Sequence, residues 1–207
     1  MWRPILIFHG FSPVFPDCSI WSCRGLSRRA RNTQPSPSDA PAVCAIYNHY
    51  IAASDATMEE SPVDSSEMSR RMQAVTAAWP WLVAEEAGIA VGYAYANQWK
   101  PRSGYRHAVE STIYLDPARV GRGLGTALYQ PLVAMLRQRN VHCAIAGISL
   151  SNAASIALHE KFGFTKAGHF RENGIKFGRW IDVGYWQLLL RPAASFGLHS
   201  DTDAPEY

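Results

Sequence analysis

Two periodicities alternate along residues 38–190. Val43, Ile46, Tyr47, Tyr50 and Ile51 share one stripe of a 3.6-residue period, and Ser38-Asp39 stand where a helix would open. Asp64 and Glu67 have capping-box spacing, and Met68, Met72, Val75 and Trp79 line a second helix that Pro80 ends. Trp81–Glu85 and Ala90–Trp99 read as strands joined at Ala87-Gly88. Val109–Leu115 alternates, with Val109, Ser111, Ile113 and Leu115 on one side and Glu110, Thr112 and Tyr114 on the other. A third helix buries Leu124, Ala127, Leu128, Leu132, Met135 and Leu136, with Pro131 inside it as an expected kink. Val141–Ile148 is a continuous apolar run, as a strand covered on both faces requires. Asn152–Phe162 reads as a short helix, Gly163-Phe164 starts a return strand, and Trp180–Leu190 is the last long strand. The order predicts a mixed α/β domain with one βαβ crossover near its middle.

Composition narrows the classes. The chain has 207 residues, 47% hydrophobic and 18% charged, which excludes a wholly disordered protein. No apolar run approaches the roughly 20 residues that span a bilayer. The net charge is +3, and residues 1–38 hold five arginines against one aspartate, so the remainder is slightly acidic. A basic nucleic-acid binder is thereby excluded. Cys18, Cys23, Cys44 and Cys143 lack paired metal-ligand spacing and read as reduced cytoplasmic thiols. Residues 1–37 carry five prolines and no sustained period. They read as a disordered extension or a wrongly assigned start rather than a transit peptide, since no amphipathic arginine helix is evident. Residues 38–191 are then the domain and residues 192–207 a tail.

Gly121-Arg122-Gly123-Leu124-Gly125 lies between a strand and a helix. Glycines there let a diphosphate approach exposed backbone N–H groups, and the helix dipole favours the anion. The spacing is neither a dinucleotide fingerprint nor a Walker loop. The loop alone is equally compatible with a turn that binds nothing.

The surrounding motifs decide between these. ESTIYLDPARVGRGLGTALY followed by NAASIALHEKFGF resembles the GNAT acetyltransferase superfamily. Gly123 and Gly125 match its pyrophosphate loop, while Val120 stands where glutamine or arginine is usual. AVCAIYNHYI, WPWLVAE, QWK, YRH, VEST, LHE and KFGRW narrow the likeness to phosphinothricin and methionine sulfone/sulfoximine N-acetyltransferases over about residues 38–191. The resemblance implies a central, mostly antiparallel sheet with splayed strands, one βαβ crossover and four helices. Such enzymes begin with a short strand where this chain has Asn32–Pro37 with two prolines, so that strand is expected to be frayed or absent.

By the same resemblance, acetyl-CoA donates acetyl to a small amine in a cytoplasmic homodimer without metal. Ile113, Tyr114, Leu115 and Asn152 would hold the pantetheine arm, and Gly121, Arg122, Gly123, Leu124, Gly125 and Thr126 the phosphates. Glu110 would be the base, its alternative being a sheet carboxylate paired to an arginine. His159 would protonate the leaving thiolate or relay a proton, its alternative being a structural histidine. Arg106 would clamp a substrate carboxylate. His107 and Lys176 would hold a tetrahedral head, and Met58 stands where an aromatic pocket residue is common. An α-amino group near pKa 8 and a thiol near 8.5 each cost only about 1–2 kcal/mol at neutral pH, so positioning should dominate the rate. The competing functions are a protein or peptide N-acetyltransferase and a non-catalytic acyl-CoA-binding domain.

Overall fold

A computed structural model describes residues 30–191. Residues 1–29 of the expected 1–37 extension and the expected tail of residues 192–207 lie outside the described residues. The helices are α1 (Ala40–Ala53), α2 (Ser65–Thr76), α3 (Leu124–Gln138) and α4 (Ala153–Lys161). The strands are β1 (Ala30–Thr33), β2 (Trp81–Glu86), β3 (Ile89–Gln98), β4 (Ala108–Leu115), β5 (Cys143–Ser149), β6 (Thr165–Lys176) and β7 (Arg179–Leu189). They form a seven-stranded sheet in the order β1-β2-β3-β4-β5-β7-β6. Every pairing is antiparallel except β4 with β5, the two strands that α3 connects. The expected mixed architecture and its single crossover are therefore present.

The alternation of β4 sets the two faces. Val109 and Ser111 are buried toward α3, whose Leu128, Leu132 and Leu136 are fully covered. The opposite face carries Tyr114 into a cluster with Val43 and Ile46 of α1, Met68 and Met72 of α2, and Tyr93. Trp81 stacks there on Tyr95 at 4.3 Å and on Tyr93 at 5.4 Å. The turn between β2 and β3 takes left-handed φ at both Ala87 (52°) and Gly88 (78°), which suits a tight hairpin. Asp64 caps α2 by accepting from the Glu67 amide at 2.8 Å. The reciprocal half of the capping box is replaced, because the Glu67 carboxylate bonds Arg70 and Arg71 instead. The helix stops at Thr76, short of the expected Trp79.

The first strand corrects the expectation. β1 exists and pairs antiparallel with β2, from Ala30 opposite Glu86 to Thr33 opposite Val83. Pro35 and Pro37 follow the strand and do not interrupt it. Pro37 opens a short 3-10 turn whose cap, Ser36, has its amide bonded to Asp39 at 2.6 Å. A second tether explains why so polar a strand is held. Proline at 131 has no N–H, so the Ala127 carbonyl loses its helical donor. The Asn32 side-chain amide donates to that carbonyl at 2.7 Å. α3 runs through Pro131 from Leu124 to Gln138, and β1 fills the bond the proline removes.

Asn32→Ala should therefore cost about 1 kcal/mol in urea unfolding. In a Pro131→Ala background the helix supplies its own donor, and the same substitution should cost clearly less. Equal costs in both backgrounds would break the link between β1 and Pro131.

Candidate active site

β4 and β5 pair only at Ala108–Cys143, Val109–Ala144 and Glu110–Ile145. Beyond Glu110 the strands part, and β5 continues against β7 to Ser149. The fork opens a cleft of about 310 Å³. Its floor is Ile113, Tyr114 and Leu115; Tyr50 and Ala56 form one bank, and Asn152, Ser155 and His159 the other. Of the residues expected to act, Glu110, Ile113, Tyr114, Leu115, Asn152 and His159 all line this one space. Asn152 caps α4 through its Oδ1, which accepts from the Ser155 amide at 3.1 Å. The cap leaves its Nδ2 unused.

The glycine loop stands at the end of β4. Gly121 and Gly123 have φ of 81° and 80°, values a side chain rarely adopts. Gly123 precedes α3 without a side-chain cap, and the first helical bond is Ala127 N–H to Gly123 O. The amides of Leu124, Gly125 and Thr126 thus have no helical acceptor, and a Cβ on Gly123 would meet only open space. These features fit a bound diphosphate. Gly125 serves another purpose, since its Cβ would lie 3.3 Å from Leu158 and 3.5 Å from Leu115. Packing of α3 on α4 keeps that position small. Arg122 is exposed, and Arg119 has its Nε 3.1 Å from Glu86 in a charge contact off the N–H line. Lys161, which was not singled out from the sequence, donates to Thr126 Oγ1 at 3.1 Å and brings a cation to the first turn of α3.

Glu110 sits at the fork. A Cβ on Gly147 would be 3.5 Å from its Oε1 and 3.3 Å from the Tyr185 ring, so this glycine makes room for the carboxylate. Burial raises the Glu110 pKa above the usual carboxylate range, and the charge of Lys100 partly opposes the rise. Lys100 lies 4.5 Å over the Trp99 ring, and Trp99 meets Tyr185 edge-on at 5.6 Å. The carboxylate is therefore flanked by aromatic rings and one cation. Among the described residues it is not paired with an arginine.

His159 is 2% exposed. Its Nδ1 lies 2.7 Å from the Ser155 carbonyl, which can only accept, so Nδ1 carries the proton. Nε2 is buried without a protein partner and presents a lone pair. Burial lowers the pKa, leaving the ring neutral between Tyr129 and Phe164. In this form His159 accepts; donating a proton would require it to be protonated first.

Three expected substrate residues lie elsewhere. Arg106 is exposed and bonds Ser103 O of its own turn at 3.3 Å. His107 has its Nδ1 3.0 Å from Asn140 O, at the α3–β5 turn. Lys176 is 1% exposed and donates to the carbonyls of Thr57 and Glu59, so its ammonium is spent on the loop after α1. Met58 packs over Gly174 of β6.

A split parallel pair, an uncapped glycine-rich helix start and a half-buried carboxylate at the fork form a cleft that suits a diphosphate-bearing ligand. The sequence pattern of the acetyltransferase (GNAT) domain family matches residues 33–184, and the chain belongs to that family. It is 38% identical over 161 residues to phosphinothricin N-acetyltransferase of Streptomyces viridochromogenes, covering 77% of this chain and 88% of the relative. It is also 38% identical to L-methionine sulfoximine/L-methionine sulfone acetyltransferase of Salmonella typhimurium, over 74% of this chain and 90% of that one. A crystal structure of a GNAT superfamily phosphinothricin acetyltransferase from Sinorhizobium meliloti in complex with acetyl-CoA superposes with a TM-score of 0.76. Its sequence is 34% identical, and the match covers 84% of this chain and 97% of that one. The protein is an acetyl-CoA-dependent N-acetyltransferase.

Gly123→Ala should weaken acetyl-CoA binding at least about tenfold in calorimetry, beyond the roughly 1–2 kcal/mol of local strain at a left-handed position. Gly125→Ala should act instead on the melting temperature, through Leu158 and Leu115. Undiminished acetyl-CoA affinity in the first variant would move the diphosphate away from the start of α3.

Proposed function

We propose that the enzyme acetylates the primary amine of a small, carboxylate-bearing amino-acid analogue of the phosphinothricin and methionine sulfoximine type. The observation that carries this reading is the half-buried Glu110 carboxylate at the fork of β4 and β5, beside Gly147 and within the field of Lys100. Acetyl-CoA supplies an activated thioester. The chain's part is to hold an amine against that thioester and to remove its proton. Glu110 takes the amine proton, and burial strengthens it as a base. The unpartnered Nε2 of His159 accepts a hydrogen bond or proton on the cofactor side of the cleft. Asn152 Nδ2 and the backbone of Ile113–Leu115 hold the pantetheine arm, and the amides of Leu124–Thr126 hold the phosphates. Lys100, held over the Trp99 ring that meets Tyr185 edge-on, takes the substrate carboxylate in place of Arg106 and Lys176.

A homodimer belongs to this reading. The β6–β7 hairpin at the sheet edge leaves Ile175, Phe177 and Trp180 between 49% and 62% exposed, an apolar strip that a second copy would cover. The compartment is the cytoplasm, in keeping with Cys44 and Cys143 as free thiols; among the described residues no helix is long and apolar enough to cross a membrane.

The direct test is thiol release from acetyl-CoA with a panel of phosphinothricin, methionine sulfoximine, methionine sulfone, free amino acids and peptides. Turnover confined to the peptides would overturn the small-acceptor reading. Glu110→Gln should lower turnover by about 10²–10⁴ at pH 7 with acetyl-CoA affinity retained. Because the carboxyl must be ionised to act, its raised pKa should set the acid limb of the wild-type pH–rate profile above an ordinary glutamate, and the variant should lose that limb. Lys100→Met should raise KM for the amino acid about tenfold or more while sparing its methyl ester. Equal losses for both acceptors would return the carboxylate to another cation.

A further inference from the structure

The two banks of the cleft are joined by one polar link between residues 96 apart in sequence. Asp55, in the loop after α1, has Oδ1 and Oδ2 each 2.8 Å from Ser151 Oγ, in the loop between β5 and α4. The neighbours of each partner line the cleft: Ala56 on one side, Ser149 and Asn152 on the other. Ser149 Oγ lies 2.9 Å from Ser151 Oγ. The hydroxyl protons can therefore run in one direction, from Ser149 to Ser151 and from Ser151 to the Asp55 carboxylate.

Both banks are anchored. Tyr114 O–H donates to Ala56 O at 3.1 Å, and Lys176 donates to Thr57 O at 2.9 Å, which fixes the Asp55 side. On the other side Leu150 N–H donates to Asp182 O at 3.1 Å and Asn152 N–H to Ser149 O at 2.9 Å. The Asp55–Ser151 bond ties together two loops whose neighbouring residues line opposite banks of the cleft. A carboxylate does not attract a ligand that carries phosphates, so affinity for CoA does not explain Asp55. Its bond to Ser151 does.

We propose that Asp55 and Ser151 form a latch across the cofactor cleft, which opens for CoA to enter or leave and so governs the speed of exchange more than the affinity. The proposal rests on the reading that acetyl-CoA occupies the cleft between β4 and β5. Both partners are surface polar residues, so alanine at either position leaves the core untouched. A gate slows entry and exit alike, whereas a group that touches the ligand changes chiefly the exit.

The test is stopped-flow association and dissociation of CoA with the full chain, comparing wild type, Asp55→Ala, Ser151→Ala and the double variant. Each single variant should raise both rates together by about five- to tenfold, roughly the worth of one exposed charge-assisted bond. The dissociation constant should then move less than about threefold, and the double variant should be no faster than the faster single one. Unchanged rates in the single variants would overturn the latch. So would a rise in the dissociation rate alone, which would make these residues ligand contacts, and so would additive effects in the double variant. CoA affinity equal in the wild type and in Gly123→Ala would instead remove the cofactor from the cleft, and the latch with it.

Discussion

The parting of β4 from β5 after the Glu110–Ile145 pair is the constraint on which the rest of the structure depends. A parallel pair would ordinarily continue, since each unpaired backbone group costs free energy. Here Ser111 takes up part of that cost at the apex. Its hydroxyl lies 2.6 Å from Tyr129 O–H and 3.3 Å from the Ile145 carbonyl, on the face packed by α3. Past that wedge, β4 stays bonded to β3 through Gly92–Leu115, while its other edge is open to a ligand. The pantetheine arm can therefore be held by a strand edge, the phosphates by a helix start, and the acceptor by the side chains at the apex.

Burial acts on the two titratable groups of the cleft in opposite senses and to one end. It raises the Glu110 pKa and lowers that of His159, moving both toward neutrality. For Glu110 the result is a stronger base, held in check by Lys100. For His159 it is a neutral ring with its single proton committed to Ser155 O and its lone pair buried without a protein partner among the described residues. Among the described residues neither group is held in an ion pair, whereas the Lys176 ammonium is taken up by the Thr57 and Glu59 carbonyls and the Arg71 guanidinium by two carboxylates, Glu59 at 2.6 Å and Glu67 at 2.8 Å.

Most of the fold was legible because its elements are driven by local pattern. The alternation of β4, the apolar run of β5 and the stripe of α3 each depend on burial of side chains close in sequence. β1 was not legible, because Ala30–Thr33 has weak strand character and is held by tertiary contacts: the β2 ladder and the Asn32–Ala127 bond. The site divides in the same way. Glu110, Asn152, His159 and the loop glycines sit inside spaced motifs, and those lining the cleft meet there. Lys176 reads as a free cation until the Thr57 and Glu59 carbonyls are brought to it across more than a hundred residues. Lys100 and Lys161 lie inside the quoted motifs but nothing local gives them a role, and Asp55 lies in none; their partners are set by how β3, α4 and the loop after α1 come together.

The central claim is that the fork between β4 and β5 is the cofactor slot. Hydrogen–deuterium exchange with and without acetyl-CoA tests it directly. The account predicts slowed exchange in two stretches, the outer half of β4 at Ile113–Leu115 and the start of α3 at Leu124–Thr126, with β6 and β7 little changed. Protection that spares both stretches, or that falls mainly on the β6–β7 hairpin, would contradict it.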